Sequence, residues 1–206
     1  LDTPFKFRST GEYDCFLANQ LKTAERVLDE LHPIVSAALP DKWRSRIHVM
    51  HPSLLDREEP ALVVHIPRLQ HPTFYELLRT KTLPATAAAW LSEVMAVGEA
   101  NIVVTGPSGS GKTALITALL SAVPSEERII TIEEIPEIFL QSAQHEKLLA
   151  RNSNSTETTP VDLETLLDAA LRRSPKRIAL GDIREKDLGL IRKALDSGIP
   201  IVASLL

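Results

Sequence analysis

The sequence predicts an α/β fold, a P-loop core preceded by a small α+β N-terminal domain, on three observations. A short apolar strand, residues 101–105, runs into the glycine-rich turn Gly106-Pro-Ser-Gly-Ser-Gly111-Lys112-Thr113 and then an apolar-periodic helix beginning at Ala114. Further strand-like apolar runs at residues 128–132, 177–180 and 199–205 alternate with helical patterns, the grammar of a parallel sheet. About the first seventy residues read instead as a helix followed by strands.

The totals suit one ordinary domain with a smaller one beside it: 206 residues, 44% hydrophobic, 24% charged, formal net charge −4. No basic surplus points to nucleic acid. Cys15 stands alone, which excludes a disulfide framework and Cys-based metal spacing and reads as a small, partly buried apolar residue. The most apolar long window, residues 85–104, is broken by Glu93, Glu99 and Asn101 and is not a membrane span. The start lacks both Met and a signal-peptide pattern, so the N-terminal domain is expected to be truncated.

In the N-terminal part, Leu17, Leu21, Ala24, Leu28 and Leu31 follow helical spacing from Phe16 until Pro33. Residues 47–50 and 61–66 read as strands. His48, His51 and His65 have neither Cys partners nor helical pairing, and read as surface or packing histidines. A boundary near residues 69–72 divides the chain into domains at 1–70 and 71–206.

Thr73-Phe-Tyr-Glu76 has the form of a capping box opening a short helix. A second helix is expected over residues 85–97, with Gly98 as its stop and Trp90 as a core anchor. Residues 128–132 form a strand ending in Glu133 and Glu134, on the sheet edge where ligands of parallel α/β folds collect. Those two acids either act on an attacking water or belong to a solvated turn. Residues 151–158 read as a mobile loop, and Thr159-Pro160 as a helix start with a capping hydroxyl. Leu163, Leu166, Leu167, Ala170 and Leu171 line that helix, with Arg172 and Arg173 in its last turn complementing the dipole. The strand at 177–180 closes with Gly181-Asp182-Ile-Arg184, an apolar run ending in an acid fit to hold Mg²⁺. A last helix over residues 186–196 leads to a strand at 199–205, with Pro200 tolerable at its beginning. An open sheet should not finish at Leu206, so the core too is expected to be truncated.

The chemistry of the turn needs its residue types. Gly106, Gly109 and Gly111 let successive amides face phosphate oxygens; Pro107, Ser108 and Ser110 complete the loop. The helix aims its positive end at the same place, Lys112 reaches the β- and γ-phosphates, and the Thr113 hydroxyl sits on Mg²⁺.

Together these blocks resemble the secretion and pilus ATPases of the type II/type IV superfamily, nearest the Tad-pilus and type IV secretion branch. Residues 124–134 look like its aspartate box, residues 170–184 like its Walker B block, and residues 74–84 like its linker into the motor domain. The similarity runs from about residue 40 to the end. It implies a RecA-like core, a homo-hexamer with ATP between subunits, inner-membrane platform partners, and a cytoplasmic location peripheral to the inner face of the cell membrane. It also implies that Glu133 is the catalytic glutamate, that Asp182 stands one methylene short of the usual Walker B Glu, that Glu134 replaces the usual Asp, and that Arg184 is kept. The histidine box departs: Ile199 and Leu206 stand where the family has histidines. In the N-terminal domain, His65 or Arg68 stands in for an arginine that reaches the phosphates. The implied function is a Mg-ATP-hydrolysing motor for pilus assembly or secretion; the alternative is a nucleotide-binding structural subunit with little hydrolysis.

Overall fold

The computed structural model describes residues 7–69, 71–151 and 159–206, which gather into two compact units. Residues 7–68, with Thr159, form the first; Leu69–Arg151 and Pro160–Leu206 form the second.

In the first unit, α1 (Thr10–Thr23) starts at Ser9, whose side chain accepts the Glu12 amide. It ends well before the expected stop at Pro33: Glu25 turns to a φ of 54° and breaks the periodicity. Leu28 still packs on the core without being helical, whereas Leu31 is 85% exposed. A strand that propensity did not single out, β1 (Ile34–Ala38), pairs antiparallel with β2 (Arg46–Met50), which pairs with β3 (Ala61–His65). Alternation puts Val35, Ala37, Ile47 and Val49 against Leu17 and Leu21 of α1. The three histidines make separate local bonds, His48 to Ser36, His51 to Ser53 and His65 to Arg46. Among the described residues no group of three or more His, Cys, Asp or Glu side chains is placed to hold a metal ion by itself.

The second unit opens with α2 (Phe74–Arg79), capped by Thr73 as its box requires, and α3 (Ala85–Val97), stopped by Gly98 at a φ of 86°. Trp90 is no core anchor. It lies 66% exposed, while Ala88 and Met95 are the buried residues of α3. Then come β4 (Ile102–Thr105), α4 (Lys112–Ser121), β5 (Ile129–Glu133), β6 (His145–Leu149), α5 (Leu163–Leu171), β7 (Arg177–Ile183), α6 (Leu188–Asp196) and β8 (Ile201–Leu205). The strands form one parallel sheet in the order β4-β8-β7-β5-β6. Ile130, Ile132, Ile178, Leu180, Ile201 and Ala203 face α5 and α6; Ile129, Ala179 and Val202 face α3 and α4. Helices on both faces explain why these strands read as continuous apolar runs.

Four details correct the expectations. The cap of α5 is Asp162, which accepts the Thr165 amide at 2.8 Å, so Thr159-Pro160 precedes the helix instead of opening it. Arg173 pairs with Glu146 at 2.6 Å and does not simply complement the dipole. Residues 185–187 form a 3₁₀ turn ahead of α6. Pro200 lies outside β8, whose interior position between β4 and β7 leaves no room for a missing donor. Apart from Arg151, which bridges to Val161, the loop expected at 151–158 lies outside the described residues. Among the described residues no helix is long and apolar enough to cross a membrane.

Candidate functional site

The glycine-rich turn leaves β4 and enters α4 through Gly111, which caps the helix at a φ of 94°; Gly109 stands at 76°. Side chains are strained in that region, so glycine is required at both places. No side chain caps α4, which leaves its first amides for an anion. Lys112, only 7% exposed, folds back to donate to the carbonyls of Gly106 (2.9 Å) and Pro107 (3.1 Å). Gly106 has further reason to be glycine, since a Cβ there would come within 3.0 Å of Ser110 Oγ.

Parallel strands bring residues far apart in sequence to one edge of the sheet. A cleft of about 420 Å³, its open mouth included, is lined there by Thr113, Glu133, Glu137, Asp182, Arg184 and Ser204, among others. Glu133 is the last residue of β5 and is 2% exposed. Its Oε1 accepts the amides of Glu137 and Ile138, both at 2.9 Å, and so staples the following loop. Its Oε2 has no hydrogen-bond partner and faces Lys147 Nζ at 3.6 Å. Burial pushes the carboxyl up to about 7; Lys147 and the Ile138 amide pull it back, and Asp182 pushes it further up. Gly181 makes room for Glu133, because a Cβ there would lie 3.0 Å from Glu133 Cγ.

Asp182 stands at a φ of 46°, where β7 bulges between Leu180 and Ile183. Its amide donates to Ser204 Oγ at 2.6 Å. Arg184 reaches Glu134 at 3.3 Å, which makes Glu134 a local partner for that guanidinium. Of the residues singled out from sequence, Thr113, Glu133, Asp182 and Arg184 thus share the cleft. Lys112 and residues 106–111 form the adjoining loop.

Sequence reasoning missed Glu137. Its Oε2 accepts the Thr113 hydroxyl at 2.7 Å, so the hydroxyl spends its hydrogen on Glu137 and its oxygen keeps acceptor capacity. Only its spacing four residues after Glu133 could have signalled this. A hydroxyl and carboxylates are the hard oxygen donors a Mg²⁺ ion takes, and the free amides of α4 suit phosphate, so the residues present fit a magnesium-nucleotide complex.

The sequence pattern of type II/IV secretion system proteins matches residues 4–205. The chain belongs to that family. The type IV secretion system protein VirB11 of Brucella suis biovar 1 is 28% identical over 180 residues, covering 76% of this chain and 49% of that protein. The chain therefore spans about half the length of the curated relatives it matches. Among solved structures, the ATPase DotB of Legionella pneumophila superposes with a TM-score of 0.63 at 16% identity, over 98% of this chain and 55% of that one. The pilus retraction motor PilT with bound ADP gives 0.61 at 22%, over 96% and 54%. At these identities the likeness establishes the fold, the RecA-like α/β core of the family's ATPases.

Proposed function

We propose that the chain is the motor portion of a pilus-assembly or protein-secretion ATPase, in the Tad and type IV secretion branch, and that it binds and hydrolyses Mg-ATP. The reading rests on one observation above all: Thr113, Glu133 and Asp182 meet in a single cleft beside a complete P-loop. Gly106, Pro107, Ser108, Gly109, Ser110 and Gly111 offer backbone amides to the phosphates, with Lys112 swinging from its loop carbonyls to the β- and γ-oxygens. Thr113 and Asp182 would hold the metal, and Arg184 would add positive charge at the phosphates. Mg-ATP, when bound, supplies the labile anhydride and the divalent charge. Glu133, poised near neutrality by burial, orients and deprotonates the attacking water. The proposal includes a domain division at 1–70 and 71–206, homo-hexamers, inner-membrane platform partners, no nucleic acid, and a cytoplasmic position peripheral to the inner face of the membrane.

The second reading, a nucleotide-binding structural subunit, is favoured by the missing histidine box at Ile199 and Leu206. Steady-state ATP hydrolysis by the full chain, with Lys112→Ala as control and a separate nucleotide titration, separates the two. Turnover abolished by Lys112→Ala and cut at least about a hundredfold by Glu133→Gln is expected. Tight binding without Lys112-dependent turnover would leave the structural subunit.

A further inference from the structure

We propose that Lys147 is a positioning residue for Glu133, holding the charge and direction of its Oε2 for work on the attacking water. This rests on the hydrolytic reading above. Glu133 is held unequally: Oε1 is taken by the amides of Glu137 and Ile138, while Oε2 is buried without a hydrogen bond. Any work on water therefore falls to Oε2.

Lys147 is delivered to that oxygen by the sheet. On β6 it pairs with Thr131 of β5, and Glu133 lies two residues further along the same face, the diagonal reach of a long side chain. Its ammonium stands 3.6 Å from Glu133 Oε2 and 3.6 Å from the centroid of the Phe139 ring. Phe139 belongs to the loop that Glu133 itself staples, so aromatic face and carboxylate fix the ammonium between them. At 3.6 Å the pair is electrostatic and no hydrogen bond consumes the Oε2 lone pairs.

The other charges near Glu133 are engaged elsewhere or repel it. Lys112 donates to Gly106 and Pro107, and Arg184 to Glu134. Glu137 holds Thr113, and Asp182 disfavours a second carboxylate beside it. Removing Lys147 would leave Glu133 Oε2 buried among acids with no cation beside it and no contact to fix its direction.

The test is ATP turnover by the full chain carrying Lys147→Met, Lys147→Arg, Phe139→Leu and Glu133→Gln, with nucleotide affinity measured separately. Lys147→Met is expected to lower kcat about tenfold or more, with KM and affinity within about twofold. Lys147→Arg should restore most of the rate, and Phe139→Leu, which keeps the ammonium but removes its aromatic support, should give a smaller loss in kcat alone. On the Glu133→Gln background Lys147→Met should cost nothing more. Full kcat in a folded Lys147→Met, or an equal loss on both backgrounds, overturns the assignment while leaving the motor reading intact. If Lys147→Met does not fold, unchanged kcat in Phe139→Leu overturns it. A native chain without Lys112-dependent turnover overturns both.

Discussion

Glu133 carries the largest consequence of any single residue, because a carboxyl 2% exposed is destabilised as an anion. Its value rises from an ordinary 4.5 to about 7, so between those limits the folded chain binds the proton more tightly than the unfolded one. Stability therefore falls as pH rises through that window and the loss is complete above about 7. At about 1.36 kcal/mol per pH unit the window amounts to about 3 kcal/mol. Urea midpoints of the nucleotide-free chain at pH 5 and pH 8 measure it: the native protein should lose stability between them, and Glu133→Gln, which keeps a carbonyl for the loop amides, should not. Parallel behaviour of the two would refute the buried anion. Local pattern sufficed for the P-loop, since glycines, lysine and threonine sit in eight consecutive residues. Glu137 and Lys147 escaped it. One acts through a loop stapled by Glu133 and the other across a strand pairing; a lone acid four residues on and a lysine on a charged edge strand are too common to stand out.

Among the elements, those with strong internal periodicity or β-branched runs were legible: α3 ends at its glycine, and β5 and β7 occupy their apolar stretches. β6, His-Glu-Lys-Leu-Leu, was not, because an edge strand carries charge that reads as loop until Glu146 is seen between Arg128 and Arg173. Trp90 misled for the opposite reason: size argued for burial, but its turn of α3 faces away from Met95. Arg177 opens β7. It is fully buried, donating to Met95 O at 3.2 Å and Glu127 Oε2 at 3.1 Å, and so ties the end of α3 to β7 and to the turn before β5. Arg177→Met should destabilise the chain by about 3 kcal/mol, the low end for breaking a buried pair because Glu127 keeps some solvent. Arg177→Lys should recover only part, lacking the planar fork. Denaturant unfolding of both variants checks this, and a loss under about 1 kcal/mol for the Met variant would mean the staple is incidental.

At the scale of the molecule, the site exists only because the sheet is parallel and ordered β4-β8-β7-β5-β6. That order lays β7 beside β5 and aligns their carboxyl ends, so Asp182 and Glu133 meet although the 48 residues 134–181 separate them in sequence. The existence of β4, β5, β7 and β8 was readable from propensity, but strand order was not, since it depends on which apolar faces the helices cover. On the proposed reading, the same arrangement would make nucleotide a stabiliser of the fold. A ligand held by the P-loop on one side and by Thr113 and Asp182 on the other binds only when β4, β5, β7 and α4 are all in place. At a hundred times its dissociation constant it should add about 2.7 kcal/mol to the stability of the second unit. Thermal unfolding of the full chain with Mg-ADP, which avoids turnover, reads this as a rise in melting temperature that grows with the logarithm of concentration. Lys112→Ala should abolish the rise while leaving the ligand-free transition within about 1 kcal/mol, because Lys112 is bonded only to its own loop carbonyls. A rise that survives Lys112→Ala would place the nucleotide outside the P-loop, and the functional reading would fall with it.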